Sequence, residues 1–396
     1  MRIYFITTKL NFVNAGGSVR DIDLRAKALV EMGHTVTVIS AFPESNIITE
    51  SLPYQVKEEF IRSRGLLGIQ IGAHRIIKKY EQKADVFHVD GQVFLYAAGW
   101  YRLMGGRVPV LSLFNHWLNA WADETQADVK PVKPYWWWAK WLKKKLRFFL
   151  ERRLGVFIAN RADAFIFDTP QIEKKFISLG FNAHKGFVLP DFVDTQGSLA
   201  GESMTMDKII SHQQPRRGIV TILLTGRMLP EKGFDMAIKA FVSLPNKENY
   251  RVIMSGTGPE LNNLQRQVSE LKLQDFFYFP GWVDREELLS FFQQAQIFIF
   301  PNWWPEYGSV TFEEAMSFGL ASIIPDGGAL EWLSGGTAFT FKSNNVADLS
   351  RAMQQLGEDT NLRIKIAQKS LEHIVKLDYR IVGRELERIL KSIVQI

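Results

Sequence analysis

Over the first forty residues the apolar positions change period twice. "RIYFIT" (2–7) is a β-rich apolar run, "NFVNAGGS" is a glycine-bearing loop, and "VRDIDLRAKALVEMG" (19–33) sets apolar residues at helical spacing before "TVTVIS" (35–40) returns to a strand. Ser18 with Asp21 fits a capping box at the helix start, and Gly33 fits its C-terminal stop. A strand–helix–strand unit of this kind builds a parallel sheet covered by helices on both faces.

The pattern continues through "DVFHVD" (85–90), "VPVLSLF" (108–114), "DAFIFDT" (163–169) and "KGFVLP" (185–190). Residues 197–218 lose this periodicity and gain Gly, Ser, Gln and Pro, as a linker with a short helix would. A second series follows in "IVTILLTG" (219–226), "YRVIMSG" (250–256), "FFYFPG" (276–281), "QIFIFP" (296–301) and "ASIIP" (321–325). The end is helical by pattern. The expected organisation is α/β: a Rossmann-like domain over 1–196, the linker 197–218, a second such domain over 219–372, and a helix over 373–396 that returns to the first domain. Two open α/β domains imply a cleft, with ligands at the carboxyl ends of strands.

At 396 residues the chain is long for one core, which agrees with two domains. Its 46% hydrophobic and 23% charged residues are those of a globular protein, and the absence of cysteine excludes disulfides and thiolate-held metals. "MRIYFITTKLNF" reads as a buried first strand rather than a secretory signal, and no stretch approaches the roughly 20 apolar residues of a membrane span. A cytoplasmic protein is expected. Charge refines this picture: Lys130 to Arg153 holds nine Lys/Arg against Glu151 alone, a local +8 within a total of +6, so the remainder is −2. A single positive patch argues against a nucleic-acid partner. Within it, "YWWWAKWLKKKLRFF" (135–149) puts Trp138, Trp141, Leu142, Leu146 and Phe149 on one face of a basic-aromatic helix expected over 135–153, with Lys140, Lys143, Lys144 and Arg147 opposite. Such a face packs on a core as readily as it meets anionic headgroups; Trp136 and Trp137, outside the stripe, and the local charge favour an interface.

Candidate chemistry concentrates in the second series. In "FPNWWPEYGSVTFEEAMSFGLASIIPDGG" (300–328), Glu306 and Glu314 flank a helix start where the amides of Gly308, Ser309, Val310 and Thr311 would meet an anion. Thr311 with Glu314 fits an ordinary capping box equally well. In "LLTGRMLPEKGFDMAIKAF" (223–241), Arg227 and Lys232 stand at a strand's carboxyl end, placed either to neutralise phosphates or to sit as solvated loop charges. No His/Asp/Glu cluster has metal-ligand spacing.

Taken in order, "GRMLPEKG", "SGTGPE", "PGWV", "FPNWWPEYGSVTFEEAMSFG" and "PDGG" resemble the retaining GT-B glycosyltransferases of family 4. The likeness is close over 219–333 and looser in the first half, through "GGSVRDIDLRAKALVEMGHTVTVIS". It implies two Rossmann-like domains and transfer of a sugar from a nucleotide-diphosphate sugar to an acceptor hydroxyl, with no metal or other cofactor. Arg227 and Lys232 match the pair on the donor diphosphate, Glu306 the contact to sugar hydroxyls, and Glu314 the contact to the ribose. Gly308, Ser309 and Val310 match the amide turn on the phosphates, with Gly226 and Gly256 in the adjoining donor loops. Gly16 and Gly17 match the N-terminal glycine loop, and His116, in "SLFNHW", matches a histidine near the transferred sugar. The chain departs from the pattern at "LPDFVDT", where Asp191 and Phe192 replace Asn-Gly, and at Tyr307 in place of Phe. A glycan or lipid-linked acceptor would belong to the first domain. Trp137, Trp138, Trp141, Lys143, Lys144 and Lys145 would then meet that acceptor or an anionic membrane, making the enzyme peripheral on the inner face. Two other classes share these features: a GT-B-type nucleotide-sugar epimerase, and a non-catalytic nucleotide-sugar-binding protein.

Overall fold

The structure is a computed structural model and describes residues 1–12, 17–49, 51–62, 65–114, 151–195, 204–302 and 309–394. The chain divides into two compact units, Met1–Pro190 with Val382–Ile396, and Asp191–Ile381.

The first unit is built on seven parallel strands: β1 (Arg2–Thr7), β2 (Thr35–Ser40), β3 (Gln55–Glu58), β4 (Val86–Asp90), β5 (Val110–Phe114), β6 (Ala164–Phe167) and β7 (Gly186–Val188). Their order is β3-β2-β1-β4-β5-β6-β7, so the winding reverses between β1 and β4. Strands β5 and β6 are buried along their whole length, which is why they read as unbroken apolar runs. Helix Gly17–Glu31 links β1 to β2, but it begins at Gly17, so Ser18 lies inside the first turn and not at a cap. Asp21, the other half of the expected capping box, instead accepts from Arg25 Nε at 2.6 Å.

The second unit has six parallel strands: β8 (Val220–Thr225), β9 (Tyr250–Ser255), β10 (Phe277–Gly281), β11 (Ile297–Ile299), β12 (Ala321–Pro325) and β13 (Phe339–Phe341). Their order is β10-β9-β8-β11-β12-β13, with the reversal between β8 and β11. Alternation on these strands feeds two cores. Ile222, Leu224, Met254 and Ile323 pack on one face of the sheet, while Leu223, Ile253, Phe298 and Ile324 pack on the other.

The unit boundaries fall elsewhere than composition suggests. The first crossing lies at Pro190, and the described part of 197–218 folds with the second unit instead of standing apart. Helix Met206–His212 buries Ile209 there, and Gln213 Nε2 donates to the carbonyls of Gln296 (3.0 Å) and Gly319 (2.7 Å). The buried Arg363 guanidinium holds the Gln213 carbonyl at 3.1 Å. The last helix, Tyr379–Val394, belongs to the first unit from Val382 onward. Its buried stripe of Val382, Leu386, Ile389, Leu390 and Ile393 keeps helical spacing, and Glu387 lies 2.8 Å from His34 Nε2. Among the described residues, no helix is long and apolar enough to cross a membrane.

Candidate functional site

In doubly wound sheets the strands flanking the reversal send their following helices to opposite faces, which opens a crevice at their carboxyl ends. In the second unit those strands are β8 and β11, and the loops after them carry most of the residues singled out from sequence.

The loop after β8 holds Gly226, Arg227 and Lys232. Gly226 donates its amide to Ser255 O at 3.1 Å, and Met228 donates to Thr257 O at 2.8 Å, so this loop is stitched to the loop after β9. Gly256 lies at the seam with φ +129, and a Cβ there would stand 1.9 Å from the Gly226 carbonyl oxygen. The positive φ and the contact together admit only glycine. Arg227 is exposed and Lys232 is half-buried, its Nζ 5.5 Å from the centre of the Phe300 ring beyond β11. Gly233 (φ +68) passes so close to Pro301 that a Cβ would meet its carbonyl oxygen at 2.2 Å. The loops after β8 and β11 are therefore in direct contact, and Lys232 is held where they meet.

Ser309 opens helix Val310–Ser317, its Oγ accepting from the Phe312 amide at 3.3 Å. The cap is thus Ser309, and the alternative box of Thr311 with Glu314 does not form. Glu314 is buried one turn further on, paired with Arg285 Nη1 at 2.8 Å. Arg285 begins helix Arg285–Gln294, which follows β10, and sequence reasoning missed it. One edge of the sheet thus assembles Gly226, Arg227, Lys232, Gly256, Ser309, Val310, Glu314 and Arg285. Cations, a helix amino terminus and a buried carboxylate together suit an anionic ligand that also bears hydroxyls.

In the first unit Gly17 begins its helix after β1, at the reversal point of that sheet. The helix is fastened by the fully buried Arg25, whose Nη2 lies 3.3 Å from Pro190 O and 3.5 Å from Asp168. Burial, and after it the nearby Arg25 charge, hold His88 well below the usual imidazole range, so it is neutral and stacks on Phe5 with ring centres 4.4 Å apart. At the end of β4, beside β1, Asp90 accepts from the Gln92 amide at 3.2 Å and caps the next helix. Burial pushes its carboxyl up to about 6 against the lowering pull of the Gln92 and Val93 amides. The signal for Asp90 was available as an aspartate between a strand and a glycine. His116, Glu306, Gly16, Gly308, Trp137, Trp138, Trp141, Lys143, Lys144 and Lys145 lie outside the described residues.

Two family models match the chain: Glycosyltransferase Family 4 over residues 15–196 and Glycosyl transferases group 1 over residues 207–373. An uncharacterised glycosyltransferase of Methanocaldococcus jannaschii is 27% identical over 248 residues, 60% of this chain and 60% of that protein, so the chain spans less than two thirds of that relative's length. Among solved structures, sucrose-phosphate synthase from Thermosynechococcus elongatus aligns with a TM-score of 0.75 at 16% identity, covering 100% of this chain and 99% of that one. Anabaena HepE, in complex with UDP and glucose, aligns with a TM-score of 0.71 at 16% identity over 99% and 100% of the two chains. Both share the fold of two Rossmann-like domains. The chain belongs to the GT-B glycosyltransferases of family 4.

Proposed function

We propose that the protein transfers a hexosyl group from a nucleotide-diphosphate sugar to an acceptor hydroxyl, with retention at the anomeric carbon and without a metal. The observation that carries this reading is the meeting of Arg227, Lys232, the Ser309 helix start and Glu314 around one sheet reversal. As the bond from the anomeric carbon to the diphosphate breaks, negative charge grows on the leaving oxygens. Arg227, Lys232 and the amides at the helix start stabilise it there. Glu314 holds the ribose hydroxyls and Glu306 the sugar hydroxyls. Gly226 and Gly256 let the backbone approach the nucleotide, and Gly16, Gly17 and Gly308 do the same at the phosphates. His116 stands by the transferred sugar. The acceptor oxygen attacks the face the diphosphate leaves and passes its proton to the departing phosphate, so no enzyme nucleophile is required. HepE's complex with UDP and glucose favours a nucleotide-sugar donor. A glycan or lipid-linked acceptor belongs to the first unit, with segment 135–153 as its wall or its route to an anionic membrane at the inner face.

The test is incubation with a panel of nucleotide sugars, with and without glycan acceptors, in chelator. The released nucleotide identifies the donor. Lys232→Ala and Glu306→Ala should each slow transfer by about a hundredfold or more, and unchanged rates in both would sink the assignment. Conversion of the sugar while still on its nucleotide, with donor alone, would instead mark an epimerase.

A further inference from the structure

The strands of the second sheet have amino ends as well as the carboxyl ends that carry Arg227, Lys232 and the Ser309 turn. At the amino ends, Gln213 Nε2 ties the Gln296 carbonyl ahead of β11 to the Gly319 carbonyl ahead of β12. Beside this tie a cavity of about 290 Å³ opens among Lys208, His212, Arg216, Gln293 and Phe318. Three helices finish around it: Met206–His212, Arg285–Gln294 and Val310–Ser317. Cations at helix carboxyl ends are ordinary, because they offset the partial negative charge gathered there. These ends, however, are already closed by the chain's own amides. Gly319 and Leu320 donate to the carbonyls of Met316 and Ala315 at 3.0 Å each, Ala295 to Phe291 at 3.0 Å, and Gln213 to Ile209 at 2.9 Å.

The cavity therefore keeps hydrogen-bonding capacity to spare. No acid lines it, and among the described residues the exposed Arg216 guanidinium makes no ion pair. His212 Nε2 is buried and has no hydrogen-bond partner. Burial holds this ring below the usual imidazole range against the raising pull of the Ala295 and Phe318 carbonyls, so it is neutral and contributes a hydrogen bond rather than a charge. A buried polar atom left unmet calls for a partner. Lys208 and Arg216 suit a phosphate, the guanidinium by its paired donors. The neutral imidazole and the Gln293 amide suit hydroxyls. Met204 and Phe318 add an apolar wall for the C–H face of a sugar ring. At about 290 Å³ the cavity is at the small end of the roughly 300–1,000 Å³ typical of small-molecule sites, which favours a monosaccharide over a nucleotide.

We infer that this cavity binds a sugar phosphate, with its phosphate on Arg216 and Lys208, its hydroxyls on His212 and Gln293, and its ring against Met204 and Phe318. The site lies at the other end of the sheet from Gly226, Lys232 and the Ser309 helix start, and its test reads binding alone, so this inference and the transfer reading fail separately.

The full-length protein would be titrated calorimetrically with the 1- and 6-phosphates of glucose, galactose and mannose, and with inorganic phosphate for comparison. At least one hexose phosphate should bind about tenfold more tightly than inorganic phosphate. Arg216→Glu should weaken that binding about tenfold or more, while its thermal melt stays that of the unmodified protein. Gln293→Ala should weaken it about fivefold, and Lys232→Ala, at the far end of the sheet, should leave it unchanged. Absence of binding by every hexose phosphate, undiminished binding by Arg216→Glu, or loss of binding in Lys232→Ala would each overturn the inference. So would equal affinity for inorganic phosphate, which would mark a site for the bare anion.

Discussion

Arg285 shows how a single side chain can matter without a recognisable motif. It sits in "GWVDREELL", where Asp284 caps the helix by accepting from the Glu287 amide at 2.9 Å, so the stretch reads as an ordinary helix start. Only folding brings its guanidinium to 2.8 Å from Glu314, across the gap between the chain after β10 and the helix after β11. Taking Glu314 as the ribose contact, Arg285 is a positioning residue that keeps the carboxylate aimed. Arg285→Ala should raise the KM for donor about tenfold, the loss of one ion pair to a buried carboxylate, and leave kcat within a fewfold. Steady-state kinetics that showed a fall in kcat with unchanged KM would place Arg285 in the chemistry instead. Gly256 and Lys232, by contrast, were legible from their motif, because the order of several short motifs carries more information than any one residue.

At the scale of elements, the central, buried strands were legible and so were the edge strands β7 and β10, while the other two edge strands were not. Both β3 ("QVKE") and β13 ("FTF") are short edge strands with weak apolar signal, held by pairing on one side only, and neither stands out from its loop. Contacts between helices were equally hidden. Glu81 follows helix Leu66–Tyr80 and accepts from Tyr101 Oη at 2.7 Å, from the Arg107 amide at 3.0 Å and from Lys78 at 3.0 Å. Burial alone would raise its carboxyl, but these donors hold it at about 2, against a usual 4.5. Since the folded state binds this proton more weakly than the unfolded chain, the stabilisation is fully present above about pH 4.5 and is lost as pH falls toward 2. Glu81→Gln should therefore cost about 2 kcal/mol at pH 7, with the difference from the unmodified protein shrinking on acidification. Denaturant titrations at several pH values would check this, and a pH-independent difference would show that packing, not charge, is responsible.

At the scale of the whole molecule, the last helix makes each unit's fold depend on a distant part of the chain. It starts in the second unit, where Thr195 Oγ1 donates to Asp378 at 2.6 Å, and continues into the first. Deleting 382–396 removes five buried aliphatic side chains, whose burial is worth about 1.5–3 kcal/mol each, a sum comparable to the whole stability of a domain. The shortened chain should lose the cooperative melt of the first unit in calorimetry while the second unit's transition persists; two intact transitions would show that the helix is dispensable. By itself, the sequence determined the α/β class and the central strands, because alternation and turn chemistry act within a few residues along the chain, and the order of its loop motifs carried the family resemblance. The tertiary structure alone decided which loops share a sheet reversal, that Arg285 faces Glu314, and where the units divide. Each of these contacts joins residues far apart in sequence, and side-chain packing across the sheets, which no local period encodes, sets their distances.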